Sequence, residues 1–259
     1  MTPVLCFDLE TVPDVDGLRR LRPEWAHLDD AEVAARAMAE RREKTGGDFL
    51  PHHLHRIVAI GCAFRDDGGL RVRCLGSESD GEAKLIADFF RLIERYTPQL
   101  VSWNGSGFDL PVLHYRGLMH GVAAARYWEF GDDDRDFRYN NYVNRYHTRH
   151  LDLMDLLALY QPRASAPLDD IARLCGFAGK LGMDGARVWD AYRDGRLAAI
   201  RGYCETDVVN TYLVYCRFQK MRGQLDEAAY AAEVERVRAT LQALDGAHWR
   251  EFLSAWPHA

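Results

Sequence analysis

Short apolar runs alternate with helical spacing of apolar positions through the first hundred or so residues, and helical spacing prevails toward the end of the chain. "PVLCFDLE" (3–10) reads as a strand. "HRIVAIGCAF" (55–64) and "GLRVRCLG" (69–76) read as two more, joined by the turn "RDDGG" into a hairpin. In "SDGEAKLIADFFRLIERY" (79–96), Leu85, Phe89, Leu92, Ile93 and Tyr96 recur at helical spacing. "QLVSWNG" (99–105) is a fourth strand that runs into the Gly-rich turn "NGSGFDLP", where Pro111 suits the opening of another helix.

Further on, "HLDLMDLLALY" (150–160) reads as a short strand entering a helix, and 168–177 and 185–195 read as short helices. The longest helical pattern in the core covers 196–219, and the tail 225–256 continues as helix with alternating charges. Two segments interrupt this order. Residues 15–54 carry an Ala- and charge-rich helix, "DDAEVAARAMAERREK", and residues 126–149 combine an acidic loop with a Tyr/Asn/Arg stretch. The succession of elements predicts an α/β fold, a mixed sheet with helices on both sides.

Composition narrows the class. The chain has 259 residues, 47% hydrophobic and 28% charged, enough for one large domain, alone or with a helical extension. No apolar stretch approaches the ~20 residues of a membrane helix, and nothing resembles a signal peptide, so a soluble cytoplasmic protein without membrane partners is expected. The scattered cysteines form no Cys-x-x-Cys pair and read as small core residues in a reducing compartment. A net charge of −6 argues against a broad basic surface for coating nucleic acid. It leaves room for an enzyme that holds a few nucleotides, with metal ions offsetting the charge.

The chemistry lies in carboxylates. Asp8 and Glu10, two apart on a strand, project from one face. Taken alone they read first as solvated turn residues, and Asp109, ahead of Leu110-Pro111, reads as an N-cap. Asp207 is different. On a 3.6-residue helix it falls in the apolar stripe of Ile200, Cys204, Thr211, Val214, Tyr215 and Phe218. A bare carboxylate there costs several kcal/mol unless paired or bound to metal. Arg201 and Arg217 are nearby in sequence but point to other sides of the helix. Tyr203 lies one turn before Asp207, as a core aromatic or as a phenol aimed at what the carboxylate holds. Together the four acids suit two Mg²⁺ or Mn²⁺ ions. A pair about 3.5–4 Å apart activates water and stabilises the leaving oxygen in phosphodiester hydrolysis.

"FDLET", "NGSGFD" and "YCETD" resemble the three motifs of the DEDD 3′–5′ exonucleases, in the right order across roughly residues 3–220. Tyr203 in the third motif, with Gly202 where the other branch carries a histidine, resembles the tyrosine-bearing branch. The likeness is to the predicted exonucleases related to the proofreading domain of family B DNA polymerases. It implies a ribonuclease H-like mixed five-stranded sheet. The domain is read as 1–222 with a helical insertion at about 15–54, and 223–259 as a helical extension packed on the same domain. It implies that Asp8, Glu10 and Asp207 hold one ion, that Asp8 bridges to a second held by Asp109, and that Tyr203 orients the attacking water. Nucleoside 5′-monophosphates would leave a free single-stranded 3′ end, DNA before RNA. Leu9, Thr11, Asn104 and Phe108 are the expected substrate contacts. Lys180, 27 residues before Asp207, stands near the spacing of a lysine that assists the scissile phosphate in some protein-primed polymerase exonucleases. The alternative for Lys180 is a solvated surface residue, and Asn104 alternatively satisfies its own turn.

Other readings stay beside these. Tyr139, Tyr142 and Tyr146, at i, i+3 and i+7, read as a helix face packed on the core or as a base-stacking platform. His52, His53 and His55 read as loop residues, and His147 and His150 are not needed by a cluster rich in acids. A nucleic-acid-binding module on a retired nuclease fold is the competing function.

Overall fold

The computed structural model describes residues 2–183 and 185–257. Its five strands are β1 (Val4–Pro13), β2 (His55–Asp66), β3 (Gly69–Cys74), β4 (Gln99–Ser102) and β5 (His150–Asp152). They form one mixed sheet in the order β3-β2-β1-β4-β5. β1 and β3 run antiparallel to β2, while β4 runs parallel to β1 and to β5.

Alternation along β1 sets the two sides of the sheet. Leu5, Phe7 and Leu9 enter a core shared with α3 (Glu82–Tyr96) and α4 (Asp109–His120). Val4 and Cys6 face the opposite way, toward Val208 and Val209 of a long helix. In chain order the remaining helices are α1 (Val15–Leu21), α2 (Asp30–Thr45), α5 (Leu153–Leu157), α6 (Leu168–Leu174), α7 (Val188–Arg193), α8 (Leu197–Met221), α9 (Glu227–Gln242) and α10 (Ala247–Ala255).

α8 is that long helix, and it is not amphipathic. Val208, Val209, Tyr212 and Leu213, off the expected stripe, are as buried as Ile200 and Cys204, whereas Phe218 is only half-buried. The reason is tertiary: α9 and α10 supply Tyr230, Val237, Leu241, Trp249 and Phe252 to the face of α8 turned away from the sheet. The tail is also two helices rather than one, with Gly246 at φ 148° between them.

The insertion folds on itself before it meets the sheet. α2 opens with a capping box, Asp29 accepting from the Glu32 N–H and Glu32 from the Asp29 N–H. Val15, Leu18, Trp25, Val33, Ala34 and Leu50 form its core.

The 126–149 segment is not a helix. Asn140 accepts the N–H groups of Thr148 and Arg149, and Asn141 those of Val143 and Asn144. Side-chain amides thus take the place of the i−4 carbonyls a helix would use. Only Tyr142 of the three tyrosines is buried, stacked on Tyr127, while Tyr139 and Tyr146 are exposed. Among the described residues no helix is long and apolar enough to cross a membrane.

Candidate active site

Asp8 and Glu10 leave β1 on the α8 side. Opposite Asp8 in β2 stands Gly61. A Cβ at that position would lie 2.8 Å from the Cys204 carbonyl oxygen, so only glycine lets α8 close this far onto the strand pair. That closure brings Cys204 Sγ to 3.4 Å from the Asp8 carbonyl and 3.6 Å from Asp8 Oδ2. Ligand atoms of Asp8, Glu10 and Cys204 then lie within 4.8 Å of one another. Burial pushes the Cys204 thiol well up, so it remains protonated and donates to Asp8. Immediately after the acids the pairing with β2 slips: Glu10 faces Ala59, Thr11 faces Ile57, and Val58 is the extra residue of a bulge.

Asp109 is the first residue of α4 rather than its cap. Phe108 occupies the cap position, and Asp109 Oδ1 accepts the Leu9 N–H at 2.9 Å. The acid is therefore fastened to β1 at the residue between Asp8 and Glu10.

Asp207 is 2% exposed, and its ionic partner is Lys180. Lys180 Nζ lies 2.6 Å from Asp207 Oδ2 and donates to the Tyr203 hydroxyl at 2.7 Å. Arg201 and Arg217 are turned away, donating to the carbonyls of Leu75 and Gly76 and of Cys175. Several bonds hold the lysine's loop. The Asn210 side chain brackets Gly179, accepting its N–H and donating to its carbonyl. Asp169 accepts the Lys180 N–H, and Arg173 donates to the Lys180 carbonyl. Gly179, at φ 73°, makes the bend that turns Lys180 toward α8.

Four carboxylates face one ammonium, and the electrostatics follow. Burial, then Asp109 and Asp207, hold Asp8 well above the usual carboxylate range. Burial, then Asp8 and Asp207, do the same to Glu10. Burial pushes Asp109 up to about 7 despite the Leu9 N–H. Asp207 is raised by burial, while Lys180 and the neighbouring Tyr203 hydroxyl pull it back down. Burial favours loss of the Lys180 proton, but Asp207, Tyr203 and Asp8 outweigh it and raise the lysine overall. Asp207 Oδ1, though buried, has no hydrogen-bond partner among the described residues. An orphaned oxygen in a carboxylate-rich set fits a hard divalent cation, and a protonated thiol such as Cys204 does not.

Asp8, Glu10, Tyr203, Asp207 and Lys180 line one cleft of about 530 Å³. Thr11 and Phe108 line it as well, and so does Leu9, although Leu9 is buried in the core on the other side of β1. Asn104 does not. It sits at φ 67° in its turn, its N–H given to Asp152 and its carbonyl accepting from Gly107 and Phe108, and it borders a separate hollow with Ser106 and His114. Among the described residues the 126–149 segment contributes nothing to the cleft, whereas the insertion contributes Met38, Asp48, Phe49 and Leu50.

Three residues at the site escaped the sequence reading. Cys204 had a signal, its helical spacing to Asp207, but reads there as core. His55 is not a loop residue: it begins β2, and its Nε2 lies 3.0 Å from the Leu50 carbonyl. A carbonyl only accepts, so Nε2 carries the proton and Nδ1 accepts from the Thr11 hydroxyl at 2.9 Å. Phe49 had no periodic signal at all. His150, in β5, is buried and 2.8 Å from the Ser102 hydroxyl, and burial lowers it to about 4. His147 accepts the Asn141 N–H.

The sheet and its flanking helices make a ribonuclease H-like fold. The chain belongs to the family described as predicted 3′–5′ exonucleases related to the exonuclease domain of PolB, whose model matches residues 47–256. Asp8 and Glu10 lie ahead of the matched range. Among solved structures, the family B DNA polymerase of the hyperthermophilic archaeon Pyrobaculum calidifontis is similar over 93% of this chain, with 17% identity and a TM-score of 0.54. The chain spans 29% of that polymerase's length. No curated protein matches the chain.

Proposed function

We propose that the protein removes nucleotides from the free 3′ end of single-stranded DNA by hydrolysing phosphodiester bonds, releasing nucleoside 5′-monophosphates. The observation that carries this reading is the convergence of Asp8, Glu10 and Asp207 on one cleft with Tyr203 and Lys180, with one Asp207 oxygen left unpartnered. Asp8, Glu10, Asp207 and, from beside β1 at Leu9, Asp109 would hold two Mg²⁺ or Mn²⁺ ions. Bound there, such ions supply an activated water and neutralise charge on the leaving oxygen.

The chain's own residues do the rest. Tyr203 accepts from Lys180, which leaves its one hydroxyl proton free to orient a water at Asp207. Lys180 places an ammonium beside the position of a scissile phosphate and stabilises its developing charge. Cys204 holds the Asp8 carboxylate through its thiol hydrogen. The wall of Phe49, His55 and Phe108 favours a single unpaired strand. The likeness to a DNA polymerase favours DNA over RNA.

The test uses 5′-labelled single-stranded DNA and RNA of one sequence, incubated with Mg²⁺, Mn²⁺ or EDTA beside Asp8→Ala. A metal-dependent ladder on DNA that shortens from the 3′ end and is absent in the variant is the expected result. A ladder confined to RNA would overturn the substrate class. No cleavage of either strand would return the fold to a binding module.

A further inference from the structure

The insertion adds an aromatic face to the cleft that the acids do not require. Phe49 is 59% exposed, yet its position is fixed. Before it, Asp48 is paired with Arg42 of α2. Its own carbonyl accepts from Arg41, and Leu50 after it is buried in the insertion's core. One side of the Phe49 ring rests on His55, with centroids 4.8 Å apart, and on Phe108 at 5.4 Å. His55 meets Phe108 edge-on at 5.1 Å. The residue lines the same cleft as Asp8 and Asp207.

A large apolar ring held in place at the cleft with much of its surface open is suited to a flat apolar partner. We infer that Phe49 is a stacking subsite for a base of the strand entering the cleft. This deepens the exonuclease reading and rests on it. Every base has a π-face, so the subsite selects for unpaired bases without selecting sequence. The neighbouring Thr11 oxygen, whose proton goes to His55, is left to accept from the sugar or base beside it.

The experiment measures binding by fluorescence anisotropy with a 5′-fluorescein decathymidylate, in Ca²⁺, with strand integrity checked on a gel. The proteins are the full chain, Phe49→Ala and Phe49→Trp. A second probe is the same strand with its three 3′-terminal nucleotides abasic, and a third is the RNA of equal length. On the intact DNA, Phe49→Ala is expected to raise Kd about tenfold and Phe49→Trp to bind as the original does. On the abasic strand the three proteins should bind alike. Equal binding of all three proteins to intact DNA overturns the subsite. So does a loss in Phe49→Ala that is as large on the abasic strand, because a ring that stacks on nothing is packing. A thermal midpoint for Phe49→Ala within a few degrees of the original separates lost stacking from lost folding. If the unaltered chain binds neither DNA nor RNA, the exonuclease reading itself falls.

Discussion

Lys180 Nζ lies 2.6 Å from Asp207 Oδ2, so the buried carboxylate of α8 is neutralised by a lysine from the loop before α7. The pair explains how the chain folds around a cluster of acids without metal. Lys180 is 35% exposed on its side chain, so solvent screens part of the interaction. Lys180→Met is expected to cost about 1–2 kcal/mol in EDTA, less than a fully enclosed pair would. Saturating Mg²⁺ should recover most of that loss, because a cation then serves Asp207 in the lysine's stead. Urea denaturation of both proteins, with and without Mg²⁺, measures it. An unchanged midpoint in EDTA would mean the pair contributes nothing.

Asp109 predicts a pH dependence in metal-free protein. Its folded pKa, about 7, is above its ordinary value of 3.8. The folded state therefore holds this proton more tightly than the unfolded state does. Its stabilising share is complete below about pH 4 and is lost as pH rises through 7, by at most about 4 kcal/mol. In EDTA the protein should be less stable at pH 8 than at pH 5, and Asp109→Asn should flatten that slope. Protons compete with cations for the same oxygens, so metal affinity should rise over the same interval. Calorimetric titration with Mn²⁺ at the two pH values checks the second half, and a flat affinity would contradict it.

Tyr203→Phe keeps the ring and removes only the hydroxyl that Lys180 donates to. Turnover on single-stranded DNA is expected to fall by about 10²-fold, within the range of positioned proton-transfer groups. Mn²⁺ affinity should stay within about twofold, since no metal-binding oxygen is lost. Unchanged turnover would leave Tyr203 as a packing residue.

Arg116 of α4 is buried between Asp14, which follows β1, and Glu82 of α3. It donates to Glu82 at 2.8 and 2.5 Å, and Glu82 also accepts the Ile57 N–H. Arg116→Met takes the guanidinium from two enclosed carboxylates, leaving Glu82 with His120 and the Ile57 N–H and Asp14 with the Gly17 N–H, and should cost about 3 kcal/mol. Adding Glu82→Gln should recover part of the loss. Guanidinium denaturation of the single and double variants reads both; a single-variant cost under about 1 kcal/mol would show the network to be dispensable.

Local pattern carried much of this architecture. The hairpin, the helix over 79–96, the strand before "NGSG" and the long helix over 196–219 each have a periodicity that a short window reveals. Asp207 was legible as a candidate because a carboxylate inside an apolar helix stripe violates the pattern that surrounds it, whereas Asp8, Glu10 and Asp109 became candidates only as parts of the three motifs. The misreadings share a cause. Tyr139, Tyr142 and Tyr146 have helical spacing, but Asn140 and Asn141 outbid the helix for backbone N–H groups. α8 has an apparent stripe, but α9 and α10 bury its other side.

Residue order along the chain was therefore enough to name the sheet, the helices and the acids, since those features repeat or break a local period or stand in one of the three motifs. Closure of α8 over Gly61, the Lys180–Asp207 pair and the Phe49 wall join residues 143, 27 and up to 158 positions apart, as from Phe49 to Asp207. No local period records such contacts. They arise from the way the layers pack, and it is that packing which turns separate carboxylates into one cleft.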